Sequence, residues 1–183
     1  MQPRTPRRPA HEQAVHPADH DARLGAGLAA VVAGARRRAV RGGDRQVDTA
    51  HLLHSLLEAD PEVRACFAGA AQLARLLGYL VQRSIGYGLR WQSGVGDRGA
   101  VPEATRSTGL SPLAAAAMEY ARERAARRGA GPARGVDLLA AIVRDPQARA
   151  VEVLERAGLD AREVAARADG PPGTRAAGGD CAH

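Results

Sequence analysis

The stretch Val47-Asp48-Thr49-Ala50-His51-Leu52-Leu53-His54-Ser55-Leu56-Leu57 decides how this chain folds. Leu52, Leu53, Leu56 and Leu57 recur at helical spacing and form a wide apolar stripe, and Asp48 or Thr49 supplies an oxygen to cap the start. Asp60-Pro61 then reads as an N-cap followed by proline at the first helical position. Upstream, Leu24, Leu28, Val31, Val32, Ala35 and Ala39 keep helical spacing until Gly42-Gly43 ends the run. Downstream, the pattern predicts two short helices over residues 62–69 and 71–83.

The same grammar returns later in the chain. Ser111-Pro112 opens a helix with Leu113, Ala114, Ala117, Met118 and Ala121 facing inward, and Gly129 closes it. Val136-Asp137-Leu138-Leu139-Ala140-Ala141-Ile142-Val143 is a second apolar stripe, and Asp145-Pro146 is expected to restart a helix. Gly158 closes that helix, and Asp160 with Glu163 has capping-box spacing for the last one. Leu24 falls on Leu110, Gly43 on Gly129 and Leu52-Leu53 on Leu138-Leu139, all at an offset of 86, which becomes 85 at Asp-Pro. An ordered series of helix, glycine, stripe and Asp-Pro points to duplication. The expected fold class is all-α, with two tandem helical repeats of about four helices each related by a pseudo-twofold axis. The expected boundaries are a basic tail over 1–21, repeats over 22–83 and 110–169, a glycine-rich linker over 84–109 and a tail over 170–183.

Composition agrees with thin, closely packed helices. Hydrophobic residues are 45% of the chain, much of that alanine, and aromatics are only 3%. The formal charge is +6, carried entirely by arginine, since no lysine occurs. Such a balance admits acidic partners, nucleic acid included. Arg36-Arg37-Arg38 with Arg41 and Arg45, and Arg122, Arg124, Arg127 and Arg128, sit near the ends of the two long helices. Their main expected use is a solvated face favoured by the helix dipole, with an acidic or nucleic-acid partner as the alternative. Cys66 and Cys181 are too far apart in sequence and context to read as a disulfide framework. With no signal-like segment and no apolar run of spanning length, a cytoplasmic protein without a membrane partner is expected.

In this order and duplication, the motifs resemble the N-terminal domain of Clp-type unfoldases, the Clp repeat domain. Thr49-Ala50-His51-Leu52-Leu53 is similar to that family's Thr-Glu-His-Leu-Leu motif, and Gly135-Val136-Asp137-Leu138-Leu139 keeps its two leucines. Ser111-Pro112, Val153-Leu154, Gly158-Leu159-Asp160 and Val164 match further parts of the repeat, so the resemblance covers residues 22–169. It implies a module that docks adaptors and captures substrates ahead of an ATPase ring. A P-loop needs a lysine, and this sequence has none. In several family members the glutamate of the motif, in both repeats, helps bind phosphorylated arginine. Ala50 and Val136 stand at those positions here, and Gly25 and Ser111 stand where the first helices open with threonine. Neither Ala50 nor Val136 can hydrogen-bond a guanidinium, which argues against that ligand. The resemblance implies binding surfaces at Gly25, Leu28, Ser111 and Leu113, at Thr49, Ala50, His51 and Val136, and under a linker bearing Tyr87 and Trp91.

Sharper chemistries find little support. Gly94-Val-Gly96-Asp-Arg-Gly99 spells GxGxxG, but Pro102 follows and no strand-helix-strand pattern surrounds it. His51 and His54 share a helix at i, i+3, without other ligands to complete a metal site. His11, Glu12 and His16 have the wrong spacing for a zinc-protease string. Cys66 beside Phe67 reads as a packed thiol, and no Gly-x-Ser-x-Gly elbow surrounds Ser55, Ser84 or Ser111. The expectation is a non-enzymatic protein-binding module with no cofactor, metal or catalytic residue. Its partners are a Clp ATPase, an adaptor or a substrate protein, with nucleic acid the alternative.

Overall fold

The computed structural model describes residues 25–91, 109–129 and 131–170, with residues 83–91 as backbone course only. Its elements are α1 (Ala26–Gly42), β1 (Gln46–Val47), α2 (Thr49–Ala59), α3 (Pro61–Arg64), α4 (Ala70–Trp91), β2 (Gly109–Leu110), α5 (Pro112–Arg128), α6 (Gly135–Arg144), α7 (Arg149–Arg156) and α8 (Ala161–Asp169). The described fold is all-α apart from one pair of two-residue strands. None of its helices is long and apolar enough to cross a membrane.

The duplication is visible in the long helices. α1 and α5 each have 17 residues. Each ends on a glycine in the left-handed region, Gly43 at φ 72° and Gly129 at φ 63°. A side chain there would cost roughly 1–2 kcal/mol, so glycine sets the stop. The leucine-stripe helices α2 and α6 form the centre of the molecule. α2 packs on α1, and α6 packs on α5 and α8. α6 is buried from Gly135 through Val143, and one apolar cluster runs through both repeats. Small residues allow the close approach: Ala35, Ala39, Ala121 and Ala125 are buried, and a Cβ on Gly34 would stand 3.1 Å from Ser55 Oγ.

The expectations after Asp-Pro need correction. Asp60 caps α3 by accepting from Glu62 N–H at 2.8 Å, as the motif predicts, but α3 lasts one turn. Asp145 accepts from Gln147 N–H at 2.8 Å in the same way, yet only a turn follows, and α7 starts at Arg149. Asp160 caps α8 through Arg162 N–H, while Glu163 pairs with Arg167 at 3.6 Å instead of reaching back to the cap. α4 continues through Gly86 and Gly88 to Trp91, beyond the helix end expected at residue 83. Each helical glycine costs about 1 kcal/mol, which lowers helix propensity without forbidding the helix.

The repeats are stitched together at their corners. β1 pairs with β2 in parallel, Gln46 opposite Gly109 and Val47 opposite Leu110, and Ser111 N–H donates to the Val47 carbonyl at 2.8 Å. Across the pseudo-twofold axis, a Cβ on Gly25 would stand 3.2 Å from Pro132, which keeps the same offset. Thr49 of α2 accepts from Ala150 N–H at 3.1 Å and so caps the start of α7 from the other repeat. Two ion pairs flank these seams, Asp48–Arg149 at 3.0 Å and Glu62–Arg134 at 3.3 Å, with their signs exchanged between the repeats.

Candidate functional site

A groove opens where the start of α2, the start of α5, the end of α6 and the α6–α7 turn meet. It consists of two adjoining clefts of about 380 and 370 Å³ that share Thr49 and Leu113. The first mixes polar and apolar surface about equally, with Asp44, Arg45, Asp48, Ser111 and Arg149 around it. The second is mainly apolar, lined by Ala117, Tyr120, Ile142, Pro146 and Ala148, with Arg144 at its edge. Each is at the small end of ligand-pocket sizes, roughly 300–1,000 Å³. Leu113, on the first turn of α5, is 37% exposed and stands where the clefts join. Ser111 caps α5 by accepting from Ala114 N–H at 3.3 Å. That cap fixes the turn that carries Leu113.

The acids of the groove are committed internally. Asp48 caps α2, accepting from Ala50 N–H at 2.9 Å and His51 N–H at 3.0 Å. His51 closes the capping box when neutral, Nδ1 accepting from Asp48 N–H at 3.1 Å; when protonated, Nδ1–H donates to Asp48 Oδ1, 2.9 Å away, and in both forms Nε2 lies 3.1 Å from Asp44. Burial works against the Asp48 carboxylate, but the hydrogen bond and charge of His51, with help from Arg149, hold its pKa down to about 2. Burial likewise disfavours a charged His51, yet Asp48 and Asp44 together lift its pKa above the ordinary value. Asp145 is occupied by its own turn.

The arginines are differently placed. Arg149 is held by Asp48. Arg45 and Arg144 are exposed and have no carboxylate partner among the described residues. The Arg144 guanidinium lies over the Tyr120 ring, 4.7 Å from its centre, and Arg127 lies over the same ring at 5.5 Å. Such cation–π stacking orients the guanidinium without neutralising it. Of the second arginine cluster, Arg124 and Arg128 turn inward to Asp137, which is fully buried. Burial opposes ionisation of Asp137, but the hydrogen bonds from Arg128 and the Arg134 backbone, with Arg124, hold its pKa below the usual carboxylate value.

The structure brings Thr49, Ser111 and Leu113 together at this groove. Other expected contact residues are corrected by their burial. The side chains of Leu28, Ala50 and Val136 lie in the core, out of a partner's reach. Thr49 is itself buried and its hydroxyl is used between the repeats. His51 is half-buried and serves as a capping partner. Gly25 is the N-cap of α1, stands beside Pro132 and contributes no side chain. The side chains of Tyr87 and Trp91 lie outside the described residues, as does the GxGxxG stretch. Arg45 belongs to the first arginine cluster read from sequence, whereas Tyr120 and Arg144 were not readable as site residues: they stand on different helices, and nothing in sequence pairs them. Their only signal was an aromatic in a chain with few.

The related corner of the other repeat is built differently. Gly27 occupies the position of Leu113, with nothing within 4 Å of its would-be Cβ. Gly135 occupies the position of Thr49, where a Cβ would overlap Asp60 Oδ2. The second corner therefore has no apolar knob like Leu113. Among the described residues no group of three His, Cys, Asp or Glu is arranged to hold a metal ion. Cys66 is buried and its S–H points to the Glu62 carbonyl at 3.5 Å.

No family model matches the chain, and no curated protein matches it either. Solved structures do. The N-terminal domain of the caseinolytic protease associated chaperone ClpD from Arabidopsis thaliana superposes with a TM-score of 0.56 at 16% identity, over 80% of this chain and 92% of that one. The fold is that of a Clp N-terminal domain. A chain from a structural study of a malarial protein secretion system matches equally well, with a TM-score of 0.56 at 14% identity over the same shares. At these identities the Clp-type likeness concerns the backbone.

Proposed function

We propose that this chain is a non-catalytic protein-binding module of a Clp-type unfoldase–protease system, presenting its inter-repeat groove to an adaptor or substrate protein. Its role is that of an accessory or a decoy beside the motor. The observation that carries the reading is Leu113, an exposed leucine held by a capped helix start between two clefts, on a Clp N-terminal fold. Single exposed apolar residues are ordinary on a surface, as Val40 and Val81 are here, but Leu113 differs in standing at a concave surface, the kind of place where ligands and partners seat. The chemistry of the groove supports binding over catalysis. Its serine hydroxyl caps a helix, its histidine neighbour completes a capping box and its carboxylates are held in ion pairs and caps. A tagged full-length chain used as bait, beside its Leu113→Asp variant, tests the proposal. The expected result is recovery of a Clp ATPase, its adaptor or its substrates by the parent chain and loss of them with the variant. A folded parent chain that recovers none of these overturns it.

A further inference from the structure

We propose that the groove binds an extended acidic segment of a partner protein, with an apolar residue against Leu113 and carboxylates at Arg45 and Arg144. The proposal rests on the protein-binding reading above and names the partner's chemistry. Its basis is an imbalance of charge. Asp44 faces His51, Asp48 is shared by His51, Arg149 and two backbone amides, and Asp145 caps its own turn. On the other side of the ledger, Arg45 beside the first cleft and Arg144 at the edge of the apolar cleft meet no carboxylate among the described residues. A partner carboxylate at either place gains a charge-assisted hydrogen bond without displacing an existing ion pair. Beside Leu113, the second cleft adds exposed apolar surface from Ala116 and Pro146, which suits a leucine-like side chain.

The same features disfavour a nucleic-acid strand. Such a strand carries a phosphate on every nucleotide and takes affinity from a continuous basic track with open aromatic platforms. Here three aspartates stand among the lining residues, and the face of Tyr120 is covered by Arg127 and Arg144. Base stacking would have to displace a guanidinium that is already seated.

Three fluorescent peptides of about ten residues, roughly 33 Å when extended, test the inference against the full chain by anisotropy at low and moderate salt. One has aspartates flanking a leucine pair, one has asparagine in place of each aspartate, and one has lysine there. The acidic peptide is expected to bind on the order of tenfold tighter than the asparagine peptide at low salt, with the gap narrowing as salt screens the rim. Arg45→Glu with Arg144→Glu should erase or reverse that preference. Leu113→Ser should weaken all three peptides by a similar factor, with helical circular dichroism and melting unchanged in each variant. Equal binding of the acidic and asparagine peptides overturns the acidic class. If the bait still recovers Clp partners in a Leu113-dependent way, the protein-binding reading survives that failure. A single-stranded oligonucleotide that binds tighter than every peptide overturns the proposal in favour of a phosphate-backbone surface. Failure of both the peptides and the bait removes both readings.

Discussion

Asp137→Ala should destabilise the protein far more than an average surface change, because the carboxylate is fully buried and three residues donate to it. Arg124 Nε donates at 3.1 Å, Arg128 donates through Nη2 at 2.6 Å and through Nη1 to the other oxygen, and the backbone N–H of Arg134 at the start of α6 donates at 2.9 Å. Charge-assisted hydrogen bonds of this type contribute about 1.5–3 kcal/mol each. The side chains of Arg124 and Arg128 are 20% and 29% exposed, so both regain water once the carboxylate is gone. Discounting each arginine to about 1 kcal/mol, and counting about 1 kcal/mol for the lost helix-start acceptor, gives a loss of about 3 kcal/mol. That is the low end of what breaking a buried pair from one side costs. It corresponds to a fall in Tm of about 10 °C for a chain of this size. Urea denaturation and thermal melting followed by helical circular dichroism would measure it. A double-mutant cycle with Arg128→Ala should show coupling of about 1–3 kcal/mol. Because folding holds the carboxyl below its usual pKa, its stabilisation is present above about pH 4 and is lost as pH falls through the folded value. The difference between parent and Asp137→Ala should therefore stay level from pH 8 to about 5 and shrink below about 4. A variant within about 0.5 kcal/mol of the parent at pH 7, or a difference that grows on acidification, would refute the reasoning.

The two histidines of α2 should affect stability in opposite directions with pH. Burial, then the charge of Arg38, pushes the His54 pKa down to about 4, so between the ordinary value of 6.5 and 4 the unfolded chain binds a proton that the folded chain refuses. Stability then falls with falling pH across that window, and His54→Gln should flatten the profile. His51 is raised, so its contribution is complete below pH 6.5 and fades as pH rises through its folded value. Relative to His51→Gln, the parent chain should therefore be most stabilised near pH 6. Thr49→Val should cost about 1–2 kcal/mol by leaving Ala150 N–H buried without its acceptor, whereas Thr49→Ser should retain most of the stability; chemical denaturation separates them. Gly135→Ala should destabilise by about 1–3 kcal/mol, because Asp60 stands where the methyl would go and is itself held as the cap of α3. Gly27→Ala meets only open space in a helix and should stabilise by about 0.5–1 kcal/mol, read as a higher Tm.

The parts legible in sequence were those set by short-range physics. Leu52, Leu53, Leu56 and Leu57 announce a buried helix face, Gly43 and Gly129 announce left-handed stops, and Ser111 and Asp60 announce caps. Each depends on the backbone within one turn of the residue. What escaped depends on contacts distant in sequence. The β1–β2 pairing is two residues long and carries no periodicity. Thr49 looks like a cap for its own helix but serves α7, with Asp48 doing the local work. The inward turn of Arg124 and Arg128 follows from a buried Asp137 on another helix, which arginine-rich patterning disguises as a solvated face. The groove itself was only half visible. Ser111 and Leu113 stood out from the repeat pattern and Arg45 from the arginine cluster, whereas Tyr120 and Arg144 come together only when the chain folds.

The exchanged signs at the two seams have a consequence for how such a molecule can assemble. Asp48 meets Arg149 from the second half, and Arg134 meets Glu62 from the first. Were two copies of the first half to pair with one another, Asp48 would face Glu62. Two copies of the second half would set Arg134 against Arg149. Each like-with-like pairing juxtaposes equal charges, and only the mixed pairing neutralises them. The seams thus act as a lock-and-key code written in charge. It sets first half against second and disfavours assemblies built from like halves, while an exchange between molecules that keeps first half against second leaves both ion pairs intact.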